Sequence, residues 1–200
     1  LLPAALAGAR LLFVIIHWEA YRREPNRIWR RSEGGAALYG GLLVSLVASL
    51  PLLRFLGVTF WPFWDAATIT MLVGMVFARI GCLLNGCCAG RPTEAWFGLC
   101  LPDTREIWRR RFPTQLLEAG LAGLLLLASV GLWHRLPFDG ALFLFNLAGY
   151  SLGRCWLEST LESPPRIKGV ALYQAISIVL AGLSVSGLVL ALLFRQPSHL

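Results

Sequence analysis

Six apolar runs, each close to the length of a bilayer-crossing helix, occupy most of this sequence: 1–18, 38–56, 65–84, 114–134, 139–160 and 169–193. A spanning helix needs roughly 20 mostly apolar residues, so little chain is left for anything else. The first run is the weakest, because it contains Pro3 and Arg10. Of the 200 residues, 56% are hydrophobic and 14% charged, whereas about 25% are charged in a soluble domain. The sequence therefore predicts an all-α, polytopic integral membrane protein with about six transmembrane helices and one transmembrane domain over residues 1–200. It begins at Leu1, inside an apolar run, without the charged segment and cleavage site of a secretory signal. A trimmed N-terminus is expected.

A net charge of +7 would point to nucleic acid in a soluble protein. In a membrane protein, Lys and Arg collect in the loops flanking the helices, and no nucleic-acid partner is expected. The distribution is uneven. Loops after the first, third and fifth runs hold Arg22, Arg23, Arg27, Arg30, Arg31, Arg91, Arg105, Arg109, Arg110, Arg111, Arg166 and Lys168, against Arg54, Arg135 and Arg195 on the other face. The positive-inside rule puts the basic loops in the cytoplasm. A basic face also gathers anionic lipid headgroups, at about 1 kcal/mol per Lys or Arg.

The unusual polar residues fall on that same face. Glu33-Gly34-Gly35 and Tyr39-Gly40-Gly41 open the second run, and "ARIGCLLNGCCAGRP" (Ala78 to Pro92) closes the third. "RFPTQLLE" (Arg111 to Glu118) opens the fourth, Arg154 and Glu158 lie one turn apart near the end of the fifth, and Gln174 opens the sixth. Ionisable residues inside a span are costly and functional by default, which singles out Arg79 and Arg154. A guanidinium binds phosphate bidentately. Glycines at 34, 35, 40, 41, 81, 86 and 90 let backbone N–H groups approach an anion. Lipid is the phosphate source in a membrane, so these residues predict a phospholipid headgroup site at one membrane surface.

Cys82, Cys87 and Cys88 lie in the same stretch. As sequence they are open to several readings: small packing residues, a disulfide on an oxidising face, or a reactive thiolate whose pKa is lowered by Arg79 and Arg91. Their spacing lacks the C-x2-C pairing of zinc folds and no histidine is close in sequence, so neither metal nor cofactor is expected. His17 lies on the motif side, and His134 and His199 lie elsewhere.

These stretches, in this order, resemble the prolipoprotein diacylglyceryl transferase family, membrane enzymes that move diacylglycerol from phosphatidylglycerol to a lipoprotein cysteine. "EGGAALYGGLL" (Glu33 to Leu43) is similar to the family's Gly-Gly loop followed by His-Gly-Gly-Leu. "ARIGCLLNGCCAGR" is similar to Gly-Arg-Ile-Gly-Asn-Phe-x-Asn-Gly-Glu-x-x-Gly-Arg, with Asp65 fourteen residues before Arg79. "RFPTQLLE", "GRCWLE" (Gly153 to Glu158) and "YQAIS" (Tyr173 to Ser177) match three further elements. The resemblance covers nearly the whole chain and places Leu1 within an internal helix, the earliest family helices being absent.

By this resemblance Arg79 and Arg154 hold the phosphate or glycerol-phosphate leaving group, and Gly40, Gly41, Asn85, Gly86, Gly90, Arg91 and Gln115 line the headgroup pocket. Glu118 and Glu158 orient the headgroup. The partners it implies are phosphatidylglycerol and a lipoprotein or other acceptor thiol. It implies a multi-pass protein of the bacterial inner membrane with the motif face extracytoplasmic, opposite to the arginine count. Three positions depart from the pattern: Tyr39 stands for the loop histidine, Cys82 for the first asparagine and Cys87 for the glutamate. Tyrosine, with a pKa near 10, is a poor base at neutral pH. A cysteine of this chain is then expected to act, Cys87 before Cys88 and Cys82, with Tyr39 donating a hydrogen bond. Cysteine-based lipid transfer to another acceptor, thiol redox chemistry and lipid binding without turnover are the alternatives.

Overall fold

Every one of the six apolar runs forms a helix. The structure, a computed structural model, describes residues 1–29, 37–103, 107–133, 135–162, 166–167 and 170–193. The main helices are α1 (Leu2–Ile16), α3 (Leu38–Leu56), α4 (Phe60–Leu84), α5 (Thr114–Leu132), α6 (Ala141–Glu158) and α7 (Leu172–Leu193). A short α2 (Trp18–Tyr21) and a 3-10 turn (Pro25–Trp29) follow α1. Between α4 and α5, β1 (Leu99–Pro102) and β2 (Trp108–Arg111) form an antiparallel hairpin with Leu99 opposite Arg111. A smaller hairpin, β3 (Arg166–Ile167) with β4 (Val170–Ala171), leads into α7.

Four of the helices, α3, α4, α5 and α7, are long and apolar enough to cross a bilayer. The fifteen residues of α1 are fewer than a span requires. Helix α6 is less apolar because protein covers it: it packs on both α5 and α7 and buries Asn146, Ser151 and Glu158. Lipid is the solvent that suits the rest. Phe55 and Leu84 are more than 80% exposed, while Ser49, Ser129, Ser151 and Ser177 are completely buried. The chain is an all-α, multi-pass membrane protein.

The chain divides into two compact units, residues 1–60 and 61–200. In the first, glycines bring α1 and α3 together. A Cβ on Gly40 would lie 2.4 Å from the Gly8 carbonyl oxygen, and one on Gly8 2.5 Å from that of Gly40. This is the small-residue contact by which membrane helices approach closely. Tyr39 is buried here, and the Nε–H of Arg10 donates to the Ile28 carbonyl at 3.0 Å.

The second unit uses the same device. Gly149 and Gly153 of α6 receive Leu125 and Leu121 of α5, and Asn146 Nδ2 donates to Ser129 Oγ at 2.7 Å. Leu72, Ala122, Leu125 and Tyr150 form the apolar centre. Asp65, at the start of α4, accepts from the N–H groups of Gly140 (2.6 Å) and Phe143 (2.8 Å) and so caps α6. Arg79 lies fourteen residues further along α4, about 21 Å at 1.5 Å per residue. The unit therefore has a capped end at Asp65 and a motif end at Arg79.

Candidate active site

At the motif end, α4 stops in a sequence that folds back on itself. The N–H of Gly86 donates to Leu83 O (3.3 Å) and that of Cys87 to Cys82 O (3.1 Å). Gly86 has φ +67°. This pair of bonds around a left-handed glycine is the Schellman motif, which brings the side chains at its two ends together. Here those side chains are Cys82 and Cys87. Cys88 is also left-handed, with φ +56°, and turns the chain back once more. The three Sγ atoms lie within 4.8 Å of one another, and the five cysteines of the chain are all free thiols.

The segment after the turn is held between the residues leading into α5 and those following α6. Arg91 N–H donates to Thr160 O (2.8 Å), and Phe112 N–H donates to Arg91 O (3.0 Å). A Cβ on Gly90 would sit 2.1 Å from the Phe112 carbonyl oxygen, so glycine is required there by the backbone itself. The fully buried Arg111 fixes this crossing through ion pairs to Asp103 (2.9 Å) and Glu162.

The centre of the site is Glu118, on the first turns of α5. Its Oε1 accepts from Arg79 (2.8 Å) and from the Tyr150 hydroxyl (2.6 Å), and its Oε2 from Arg154 (3.0 Å). Arg154 also pairs with Glu158, one turn along α6, at 2.8 Å. Two guanidiniums from different helices thus share one carboxylate that is 1% exposed. Arg154 also stacks its guanidinium toward the Tyr173 ring of α7, 6.0 Å from the centroid. Gln115, one turn before Glu118, holds the cysteine turn by donating to Cys87 O at 2.9 Å.

Among the described residues, several buried polar atoms around Glu118 find no hydrogen-bond partner: Arg79 Nε, Gln115 Oε1 and Glu158 Oε1. Buried polar groups in native structures are nearly always satisfied, and exceptions at a site call for a ligand or water. An arginine has five N–H donors. Arg79 points one at Glu118, and its Nε has no acceptor among the described residues.

Arg79, Arg154, Glu118 and Glu158 are therefore brought together as one network, with Gln115 and the three cysteines beside it. Asn85 and Arg91 are exposed. Gly86 and Gly90 serve turns and close crossings, and Gly40 and Gly41 serve helix packing in the first unit. Glu33, Gly34 and Gly35 lie outside the described residues, as do His134 and His199. Tyr150 escaped the reading of the sequence. Its position four residues before Arg154 on α6 was the available signal, since such residues share a helix face.

The Cys88 thiol is pushed well above the usual cysteine range, by the hydrogen bond with Cys82 first and burial second, with Arg79 pulling down less strongly.

A family model, prolipoprotein diacylglyceryl transferase, matches residues 1–190. The chain belongs to this family. Among its relatives is a phosphatidylglycerol–prolipoprotein diacylglyceryl transferase of Trichormus variabilis, 31% identical over 92% of this chain and 71% of the relative. Proteins of the same description from Lactiplantibacillus plantarum and Bacillus anthracis are 33% and 32% identical, over 90% and 92% of this chain and 67% and 70% of theirs.

Proposed function

We propose that the chain transfers the diacylglyceryl group of phosphatidylglycerol to a prolipoprotein cysteine thiol, in a site built on Arg79, Arg154, Glu118 and Glu158. The observation that carries this is the pair of arginines held on Glu118, with Arg79 Nε buried and without a partner among the described residues. The acceptor thiolate attacks the glyceryl carbon, the carbon–oxygen bond to phosphate breaks, and the arginines hold the departing glycerol phosphate. Stabilising charge that develops on a leaving group is the largest contribution a prepared site makes. Glu118 supports the clamp: unpaired, two guanidiniums at this depth would be costly.

Incubation of the purified protein with phosphatidylglycerol vesicles and a lipoprotein-signal peptide tests this. A peptide heavier by one diacylglyceryl group, with glycerol phosphate released, is expected by mass spectrometry. Binding of the lipid without any peptide product would leave a lipid-binding protein instead.

We further propose an extracytoplasmic motif face in the bacterial inner membrane. Asp103 is a poor position for a topology label because it pairs with Arg111, but Cys100, exposed in β1, is a native one. A membrane-impermeant maleimide is expected to label Cys100 in intact spheroplasts. Labelling only after lysis would put the basic loops in the cytoplasm, as the arginine count has it.

A further inference from the structure

Three thiols gathered at one turn form a donor set that the family reading does not use. The Schellman bond sets Cys82 against Cys87, the left-handed Cys88 brings the third sulfur round, and all three Sγ atoms lie within 4.8 Å. At a metal–sulfur distance of about 2.3 Å, tetrahedral ligands are about 3.8 Å apart, and the three sulfurs, within 4.8 Å of one another, lie close to that spacing. All three donors are sulfur, the set that selects zinc or copper(I) over the oxygen-seeking cations. Cys88 is exposed and gives an entry path. Although the sequence has neither C-x2-C spacing nor a nearby histidine, the turn itself brings three sulfur donors together.

We propose that Cys82, Cys87 and Cys88 bind one zinc(II) ion through three thiolates and leave its fourth coordination position to the acceptor thiol. Zinc sites with three protein ligands keep a position open for substrate, and a thiol that coordinates zinc loses its proton outright. The proton passes to solvent, the zinc-bound sulfur forms the bond to the glyceryl carbon, and the electron pair of the broken carbon–oxygen bond leaves with the phosphate oxygen. This supplies what Tyr39, in place of the loop histidine, cannot. The metal site stands on the thiol geometry, while the identity of the fourth ligand rests on the proposed transfer.

The test is metal analysis of the full-length protein, purified anaerobically in detergent and loaded with zinc or with cobalt(II) as a spectroscopic stand-in. One equivalent of zinc is expected, with three sulfur neighbours by X-ray absorption and sulfur-to-cobalt charge-transfer bands. Cys82→Ser, Cys87→Ser and Cys88→Ser should each weaken zinc binding at least tenfold, whereas Cys100→Ser and Cys155→Ser should not, with elution as a folded species checked for each. A lipoprotein-signal peptide should shift the cobalt spectrum, and its cysteine-to-serine counterpart should not. The proposal is overturned by no stoichiometric zinc, by copper(I) binding alone, by a disulfide within the cluster, by zinc retained in the triple serine variant, or by a spectrum indifferent to the peptide thiol. Transfer without zinc would overturn this inference and leave the function standing. Zinc and thiol uptake without transfer would do the reverse.

Discussion

Replacing Arg79 or Arg154 with alanine is expected to lower diacylglyceryl transfer by about 10²–10³-fold, the loss typical of removing one prepared donor to developing charge. Both guanidiniums lie on Glu118, so each is already aimed before lipid arrives. Lysine should restore little at either position, because an ammonium cannot contact Glu118 and a phosphate with the fixed fork that a guanidinium offers. Initial rates of peptide modification measure this, with gel filtration in detergent confirming that each variant folds. Unimpaired rates in both alanine variants would remove the clamp from the mechanism.

The second large effect is expected at Glu118 and falls first on stability. Glu118→Ala leaves Arg79 and Arg154 facing each other without their shared carboxylate and deprives the Tyr150 hydroxyl of its acceptor. Breaking a buried ion pair from one side costs about 3–5 kcal/mol. Glu118→Gln keeps an acceptor for Tyr150 but not the charge, and should fall between alanine and the native protein. Thermal unfolding in detergent gives the order. Equal midpoints for all three would mean that the arginines find other partners.

Much of this was legible in the residues. Runs of apolar residues near span length gave every main helix, because in lipid the backbone must satisfy its own hydrogen bonds. Arg79, Glu118, Arg154 and Glu158 could be placed on one face by alternating helix direction alone. The glycines were harder to read, since the same residue serves an anion site, a left-handed turn and a helix contact. Gly86 is the second, and Gly40 and Gly8 together are the third. Arg111 looked like one more loop cation, yet it is fully buried, because its partners Asp103 and Glu162 lie 8 and 51 residues away in sequence. The cysteines were read by spacing, which misses that a Schellman turn closes positions five residues apart.

Headgroup photo-crosslinking tests the central claim most directly. Phosphatidylglycerol carrying a diazirine on its glycerol headgroup would be bound to the purified protein, irradiated, and the attachment sites mapped by peptide mass spectrometry. Crosslinks are predicted on the turn after α4, the first turns of α5 and the last turns of α6, around Cys87, Gln115 and Glu158, and unlabelled phosphatidylglycerol should suppress them. Crosslinks confined to the opposite end of the unit, around Asp65 and Phe138, would contradict a headgroup site at Arg79 and Arg154.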